Sequence, residues 1–295
     1  MFDKAQLEAF SAVLETGSFS EASKRLSVTQ SAITQRIKSL EAATGHLLVL
    51  RQRPPRPTRA GTALLRYAKQ LRLLDHEVNA VLSGTDSGRT TCSIAVNSDS
   101  LATWFTDVWE RVAKESDVLL QVHVEDQDHT PRLLSEGLVS GVVTSLREAL
   151  PGCTVRPLGT MDYVCVSKQD FYERYFDGKQ MKDAVKAAPA MRFNSKDLIH
   201  SEFVWRMYRV RDGDIPMHDI PSSLGMVEGV RRGVAYGFLP SSHAAMLMRE
   251  DNAVDVFPGV TVPVALFWHE WSVAHDALRE VGKRVIQVAR SSLRQ

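Results

Sequence analysis

Apolar residues in the first sixty positions recur at helical spacing and break off at short polar stretches. Leu7, Phe10, Val13 and Leu14 mark one face of a helix that stops before Gly17. Ser18-Phe19-Ser20-Glu21 then has the form of a capping box, in which Ser18 accepts from the backbone three residues on and Glu21 reaches back. Phe19, Ala22 and Leu26 give the short helix that follows an inward face. Thr29 is an N-cap for a third helix, whose Ile33, Ile37 and Leu40 sit at i, i+4 and i+7. Two short helices joined by a tight turn, the second with a polar outer face, predict a helix-turn-helix.

After an apolar, strand-like run from Leu47 to Leu50 comes Arg51-Gln52-Arg53-Pro54-Pro55-Arg56-Pro57-Thr58. Prolines stiffen this segment and arginines stud it, so it reads as a wing, with Arg53 or Arg56 entering a minor groove or gripping the backbone. From Thr58 the positions Leu64, Tyr67, Leu71, Leu74, Val78 and Val81 advance by three and four, an a/d seam for a paired linker helix. Packing of that seam against the chain's own body is the alternative. Ser83 to Gly88 forms a joint. Beyond it strand-like and helix-like runs alternate: Cys92 to Asn97, a helix with Leu101 and Trp104, Leu119 to Val124, Pro131 to Leu134, Gly141 to Thr144, Tyr163 to Val166, and onward to a strand at Val264 to Trp268 and a last helix. The alternation predicts α/β architecture with parallel sheets, and some two hundred residues suffice for two lobes.

Charge sharpens this division. The chain of 295 residues carries 36 Lys+Arg against 35 Asp+Glu, a net of +1 that argues against a polyanionic partner. Residues 1–60, however, hold nine basic and five acidic residues, a net of +4, and leave −3 to the remainder. Between Glu41 and Asp75 no acid occurs, while Arg51, Arg53, Arg56, Arg59, Arg66, Lys69 and Arg72 all fall in that window. A basic stripe on a short module is a footprint for polyanion binding. On the predicted recognition helix Gln30, Ser31, Thr34 and Gln35 suit base edges, and Arg36 and Lys38 suit phosphate. Ser18 and Thr29, at the two helix starts, and Arg51, Arg53 and Arg56 complete the candidate DNA contacts.

In parallel sheets a ligand sits outside the strand ends, against helix N-termini. Ser98-Asp99-Ser100 stands at such a step, Glu125-Asp126 ends the second strand and Thr144-Ser145 the third, with Trp104 on the helix that follows the first. Together they could receive an amino acid, acids around its ammonium and hydroxyls around its carboxylate. At any one position a loop acid or helix cap is an equal reading. Cys92, Cys153 and Cys165 lack metal or dithiol spacing and read as reduced thiols. Neither a secretion signal nor a membrane span is evident, so a cytoplasmic protein is expected. No metal motif, phosphate loop or nucleophile elbow appears, Asp126-Gln127-Asp128-His129 reads as a loop, and adjacent Ser242 and His243 on a helix would not face each other. An enzyme is not expected, nor any cofactor.

From Leu7 through Thr16-Gly17-Ser18-Phe19, Ala22-Ser23, Val28-Thr29-Gln30-Ser31-Ala32, Gln35-Arg36-Ile37, Leu40-Glu41 and Gly45 to Pro57-Thr58 and Ala60-Gly61, the chain resembles the LysR-type transcriptional regulators. Pro54-Pro55-Arg56-Pro57, Ala95 to Trp104 and Val124-Glu125-Asp126 are similar to the arginine- and lysine-responsive members that control amino-acid export. The resemblance implies a winged helix-turn-helix (1–60), a linker and dimerisation helix with hinge (58–89), and a two-lobed, periplasmic-binding-protein-like effector domain (90–295), with lobe I at about 90–161 and 264–295 and lobe II at about 162–263. It implies a homodimer or homotetramer on double-stranded promoter DNA, acting on RNA polymerase, with lysine or arginine as co-effector. It would add Arg192, Ser222, Ser223 and Gly237 to the cleft. The stretch 194–216 does not match. A ligand-independent architectural DNA-binding protein, or a regulator of this family that responds to another metabolite, remains the alternative.

Overall fold

The computed structural model describes residues 2–83, 90–124, 130–135, 137–272, 274 and 276–295, without the side chains of residues 73, 74, 76–83, 130 and 131. Helix α1 (Lys4–Thr16) starts where Asp3 accepts from the Gln6 amide and ends at Gly17, whose φ of 65° is open to glycine at little cost. Ser18 caps α2 (Phe19–Arg25) through the Glu21 amide at 3.4 Å. The reciprocal half of the expected capping box is not made. Glu21 pairs with Lys24 one turn on, at 2.8 Å, because an ammonium is the stronger donor, and the Ser18 amide turns to Thr16 Oγ1. Thr29 caps α3 (Gln30–Thr44) through the Ala32 amide.

Leu7, Phe10, Val13, Ala22, Ile33, Ile37 and Leu40 form one buried cluster, which α4 (Arg59–Ser83) completes with Leu64, Leu65 and Ala68. The expected linker seam is therefore partly spent within the chain. Leu64 is buried in this core and Leu71 packs on its edge, whereas Tyr67 stays 42% exposed beside Phe2. Leu74, Val78 and Val81 lie outside the described side chains. Strands β1 (Val49–Leu50) and β2 (Arg56–Pro57) pair antiparallel as the wing. Glu41 of α3 ties the wing down by accepting from the amides of Leu48 and Val49.

The rest of the chain is built on one nine-stranded sheet in the order β4-β3-β5-β11-β6-β9-β7-β8, with β10 on β6. Its first half holds β3 (Thr90–Val96), α5 (Ser98–Ala102), α6 (Phe105–Glu115), β4 (Val118–Val124), α7 (Thr130–Ser135) and β5 (Gly141–Thr144). The long β6 (Cys153–Lys168) then crosses to the second half: α8 (Gln169–Tyr175), α9 (Met181–Ala187), β7 (Ala190–Arg192), α10 (Ile199–Tyr208), β8 (Met217–Asp219), α11 (Ser223–Arg231), β9 (Tyr236–Pro240), α12 (Ser241–Glu250) and β10 (Ala253–Asp255). β11 (Val262–Trp271) returns, and α13 (Asp276–Ser292) packs on the first half. β3 pairs parallel with β4 and β5, and β7 with β8 and β9.

An all-parallel arrangement is thus corrected. β6 runs antiparallel to β11 over ten residue pairs from Val262↔Tyr163 to Trp271↔Cys153, and each crossing strand pairs antiparallel with its own half-sheet. Both strands are longer than their apolar cores suggested, since backbone pairing continues through polar positions. The proposed lobe boundaries at 161/162 and 263/264 fall inside them. The C-terminus straps this ladder: Arg294 exchanges backbone bonds with Thr160 and grips Asp162 through two 2.7 Å bonds.

Arg66 of α4 reaches the first half-sheet's loops, donating to Pro151 O at 2.9 Å and Ser135 O at 3.3 Å. Lys69 and Arg72 turn instead to Glu15 of α1, which also pairs with Arg25 of α2. The basic stripe of the sequence is consequently divided, part of it holding elements together.

Two predictions follow from packing. A Cβ on Gly61 would lie 2.0 Å from the backbone oxygen of Leu48, so Gly61→Ala should lower unfolding free energy by about 1–3 kcal/mol in urea titration; an unchanged midpoint would contradict this contact. His200 is buried edge-on to Tyr236 and Phe238, and burial pushes its pKa from 6.5 to about 4. The unfolded chain therefore takes up a proton between pH 6.5 and 4 that the folded chain refuses, and stability falls through that window by about 3 kcal/mol. His200→Phe should remove this part of the pH profile, and parallel wild-type and variant profiles from thermal unfolding would refute it.

Candidate ligand cleft and nucleic-acid interface

The polar face of α3 is open. Gln30, Ser31, Gln35 and Lys38 are exposed, with Thr34 and Arg36 half-buried beside them. Thr34 Oγ1 donates to the Gln30 carbonyl at 3.0 Å, so its methyl group is what remains for an outside surface. Thr29 Oγ1 and Ser31 Oγ are 2.9 Å apart and hold the helix start rigid. Ser18 is half-buried and caps α2. Arg51, Arg53 and Arg56 are exposed on the wing, and among the described residues neither they nor Arg36 and Lys38 form an ion pair. Five uncommitted cations thus flank a row of amide and hydroxyl groups. Such an array can neutralise phosphates while the polar row meets base edges.

A second feature lies between the two half-sheets. A cavity of about 400 Å³ has Asn97, Ser98 and Asp99 from the β3–α5 step on one side and Val262, Pro263 and Val264 of β11 at its back. Its other side is made by Phe193, Lys196, Asp197, Glu202, Phe203 and Arg206. Three carboxylates and two cations therefore line one small space, which suits a zwitterion bearing one further positive charge. Asp99 Oδ2 accepts from the Tyr163 hydroxyl at 2.6 Å. Asp197 accepts from the amides of Phe193 and Ile199, which fixes it at the mouth of α10. Burial, then Asp99 and then Asp197 push the Tyr163 phenol well above its ordinary pKa, so carboxylates from both sides act on one hydroxyl.

Beside this cavity the two halves touch directly, Ser98 Oγ accepting from the Ser223 amide at 3.3 Å. Ser222 caps α11 through the Gly225 amide. Asn97 Oδ1, Ser100 Oγ and Ser223 Oγ are buried around that junction without a hydrogen-bond partner among the described residues. Buried polar atoms without partners mark a place where a polar ligand or water completes the set.

Other expected cleft residues serve elsewhere. Trp104 is buried in the core against Phe105, because it starts α6 on its inner face. Arg192 is bound to Asp212 and Asp219, at 2.9 and 2.8 Å, and closes the β7–β8 edge. Gly237 lets β9 pass Met191, whose Cγ would be 2.8 Å from a Cβ there. Thr144 is buried and accepts from the Leu146 amide, and neither it nor the exposed Ser145 lines the cavity. Glu125 and Asp126 lie outside the described residues. Conversely, Lys196, Asp197, Glu202 and Arg206 come from the stretch 194–216 that the family resemblance does not match; the signal there is the density of charge ahead of a helix.

The cysteines are free, with Cys92 and Cys165 buried; burial raises Cys92 to about 12, so neither is a ready nucleophile. Among the described residues no cluster of His, Cys, Asp or Glu could hold a metal ion, and no helix is long and apolar enough to cross a membrane.

Residues 5–62 match the bacterial regulatory helix-turn-helix protein, lysR family. The HTH-type transcriptional regulator LysG of Mycobacterium bovis is 41% identical over 92% of this chain and 88% of its own length. The crystal structure of ArgP from Mycobacterium tuberculosis superposes with a TM-score of 0.89 at 38% identity, covering 100% of this chain and 99% of that one. Full-length LysG of Corynebacterium glutamicum with bound effector Arg gives 0.80 at 32% identity over 99% and 100% of the two chains. With relatives of this identity along nearly its whole length, and with its recognition module matched, the chain belongs to the lysR family of bacterial regulatory helix-turn-helix proteins.

Proposed function

We propose that this regulator senses a basic amino acid, lysine or arginine, in the cavity between its half-sheets and controls genes of amino-acid export or metabolism. The observation that carries this reading is the opposition of carboxylates: Asp99 stands on one side of the cavity, Asp197 and Glu202 on the other. An ammonium or guanidinium between them would be attracted from both sides and so favour closure. Lys196 and Arg206 supply counter-charge for the ligand carboxylate. A ligand that binds the closed arrangement more tightly than the open one shifts the population toward closure. The LysG structure with bound effector Arg supports a basic ligand.

On the DNA side, a cytoplasmic homodimer, or a tetramer built from two, would set two α3 helices in successive major grooves of promoter DNA, with the wing arginines at the flanks. Closure of the cavity would reach the DNA-reading module through α4, which Arg66 already ties to the Pro151 and Ser135 carbonyls. Altered spacing of the modules would change DNA bending and the access of RNA polymerase. The chemistry is recognition alone, without a catalytic step.

A thermal-shift screen of all proteinogenic amino acids should single out lysine or arginine, with a rise of roughly 5–10 °C at hundredfold excess over Kd. A shift with another metabolite and none with these two would overturn the ligand reading. In operator binding, Gln30→Ala should cost about 1–3 kcal/mol and relax preference at one base pair, while Arg53→Ala weakens all sequences alike and lowers the salt slope by about one. Equal, sequence-independent losses in both variants would contradict the separation of roles.

A further inference from the structure

Tyr163 does not line the cavity, yet it determines how one of the cavity's carboxylates is held. Its ring is buried in the core on the crossing strand β6, opposite Val262, whose own side lines the cavity wall. The hydroxyl emerges from that core at Asp99 Oδ2, 2.6 Å away, and among the described residues this is the only side-chain hydrogen bond Asp99 makes. Asp99 sits in the first turn of a five-residue helix, where a short side chain could otherwise swing among rotamers. With Oδ2 occupied by a fixed phenol, Oδ1 is the oxygen left for a ligand. Burial and the charges of Asp99 and Asp197 keep the phenol protonated at neutral pH, so it can serve only as donor toward the carboxylate.

We infer that Tyr163 is a positioning residue for cation recognition: it orients the Asp99 carboxylate toward the ammonium or guanidinium of the effector and thereby sets the preference for a basic amino acid. This rests on the ligand reading above. The same bond links the cleft to the ladder between the half-sheets. Tyr163 pairs with Val262 and with Pro240, and its neighbour Asp162 is gripped by Arg294. The carboxylate that meets the ligand is thus braced against paired backbone of β6 rather than against a loop. Pre-set geometry of this kind reduces the ordering cost of binding.

The test is a double-mutant cycle on the full-length protein, titrated calorimetrically with whichever of lysine and arginine binds the wild type more tightly. Tyr163→Phe keeps the ring in place and should raise Kd tenfold or more. In an Asp99→Asn background the same replacement should change Kd less than twofold, because there is no carboxylate left to orient. Equal fold-losses in both backgrounds, or no loss in either, overturn the inference. To guard against loss of fold, the melting temperature of each unliganded variant is compared, and 3-fluorotyrosine placed at position 163 supplies a second readout. Its fluorine resonance should move on ligand addition in the wild type and stay fixed in Asp99→Asn; the same movement in both overturns the inference. Failure of lysine and arginine to bind the wild type overturns the ligand reading and this inference with it. Binding without coupling overturns this inference alone.

Discussion

The antiparallel ladder between β6 and β11 is the interaction on which the rest of the ligand-binding unit depends. Ten paired positions run from one half-sheet into the other, so the halves are joined by backbone pairing and not by a loose tether. Relative movement must then be a bend or twist of two strands, with the bulge between Leu266 and Phe267 and the strap at Arg294 bearing on the same stretch. The cavity lies at the side of this ladder, with Val262, Pro263 and Val264 of β11 in its lining. On the proposed reading, a cationic ligand between the carboxylates would act beside the strands that join the two halves.

The DNA-reading unit obeys a different economy. Its cations are sorted by what they touch: Arg25, Lys69 and Arg72 surround Glu15 and lock α1, α2 and α4 together, while the wing and α3 keep theirs open. Lys69 shows the cost of the first use, since burial lowers its pKa to about 8 despite the Glu15 carboxylate. These ion pairs join α1 and α2 to α4, so on the proposed reading a displacement of α4 would be carried into the helix-turn-helix module.

Local features were legible in the sequence where short-range chemistry fixes them. The caps at Ser18 and Thr29, the stop at Gly17 and the apolar positions of the first three helices all depend on neighbours within a few residues. The proline- and arginine-rich wing was legible for the same reason. Features that depend on distant partners were not. Nothing near Arg192 in sequence announces Asp212 and Asp219, and nothing near Gly237 announces the Met191 side chain. The crossing strands looked short because their apolar cores are short, and their length is set by pairing with each other. Half the cavity escaped notice because its charges, at 196–206, gain meaning only when the sheet brings them opposite Asp99.

On the proposed reading, a basic amino acid closes the two half-sheets by bridging carboxylates across the cavity. The most direct measurement is a pulsed electron-resonance distance between spin labels at Glu110→Cys on α6 and Lys182→Cys on α9, both exposed, with Cys153 replaced by Ser. A shorter distance is expected with saturating lysine or arginine when Asp99 is present, and no shortening at the same ligand concentration in Asp99→Asn. An identical distance with and without ligand in the intact chain, or equal shortening in Asp99→Asn, would contradict it.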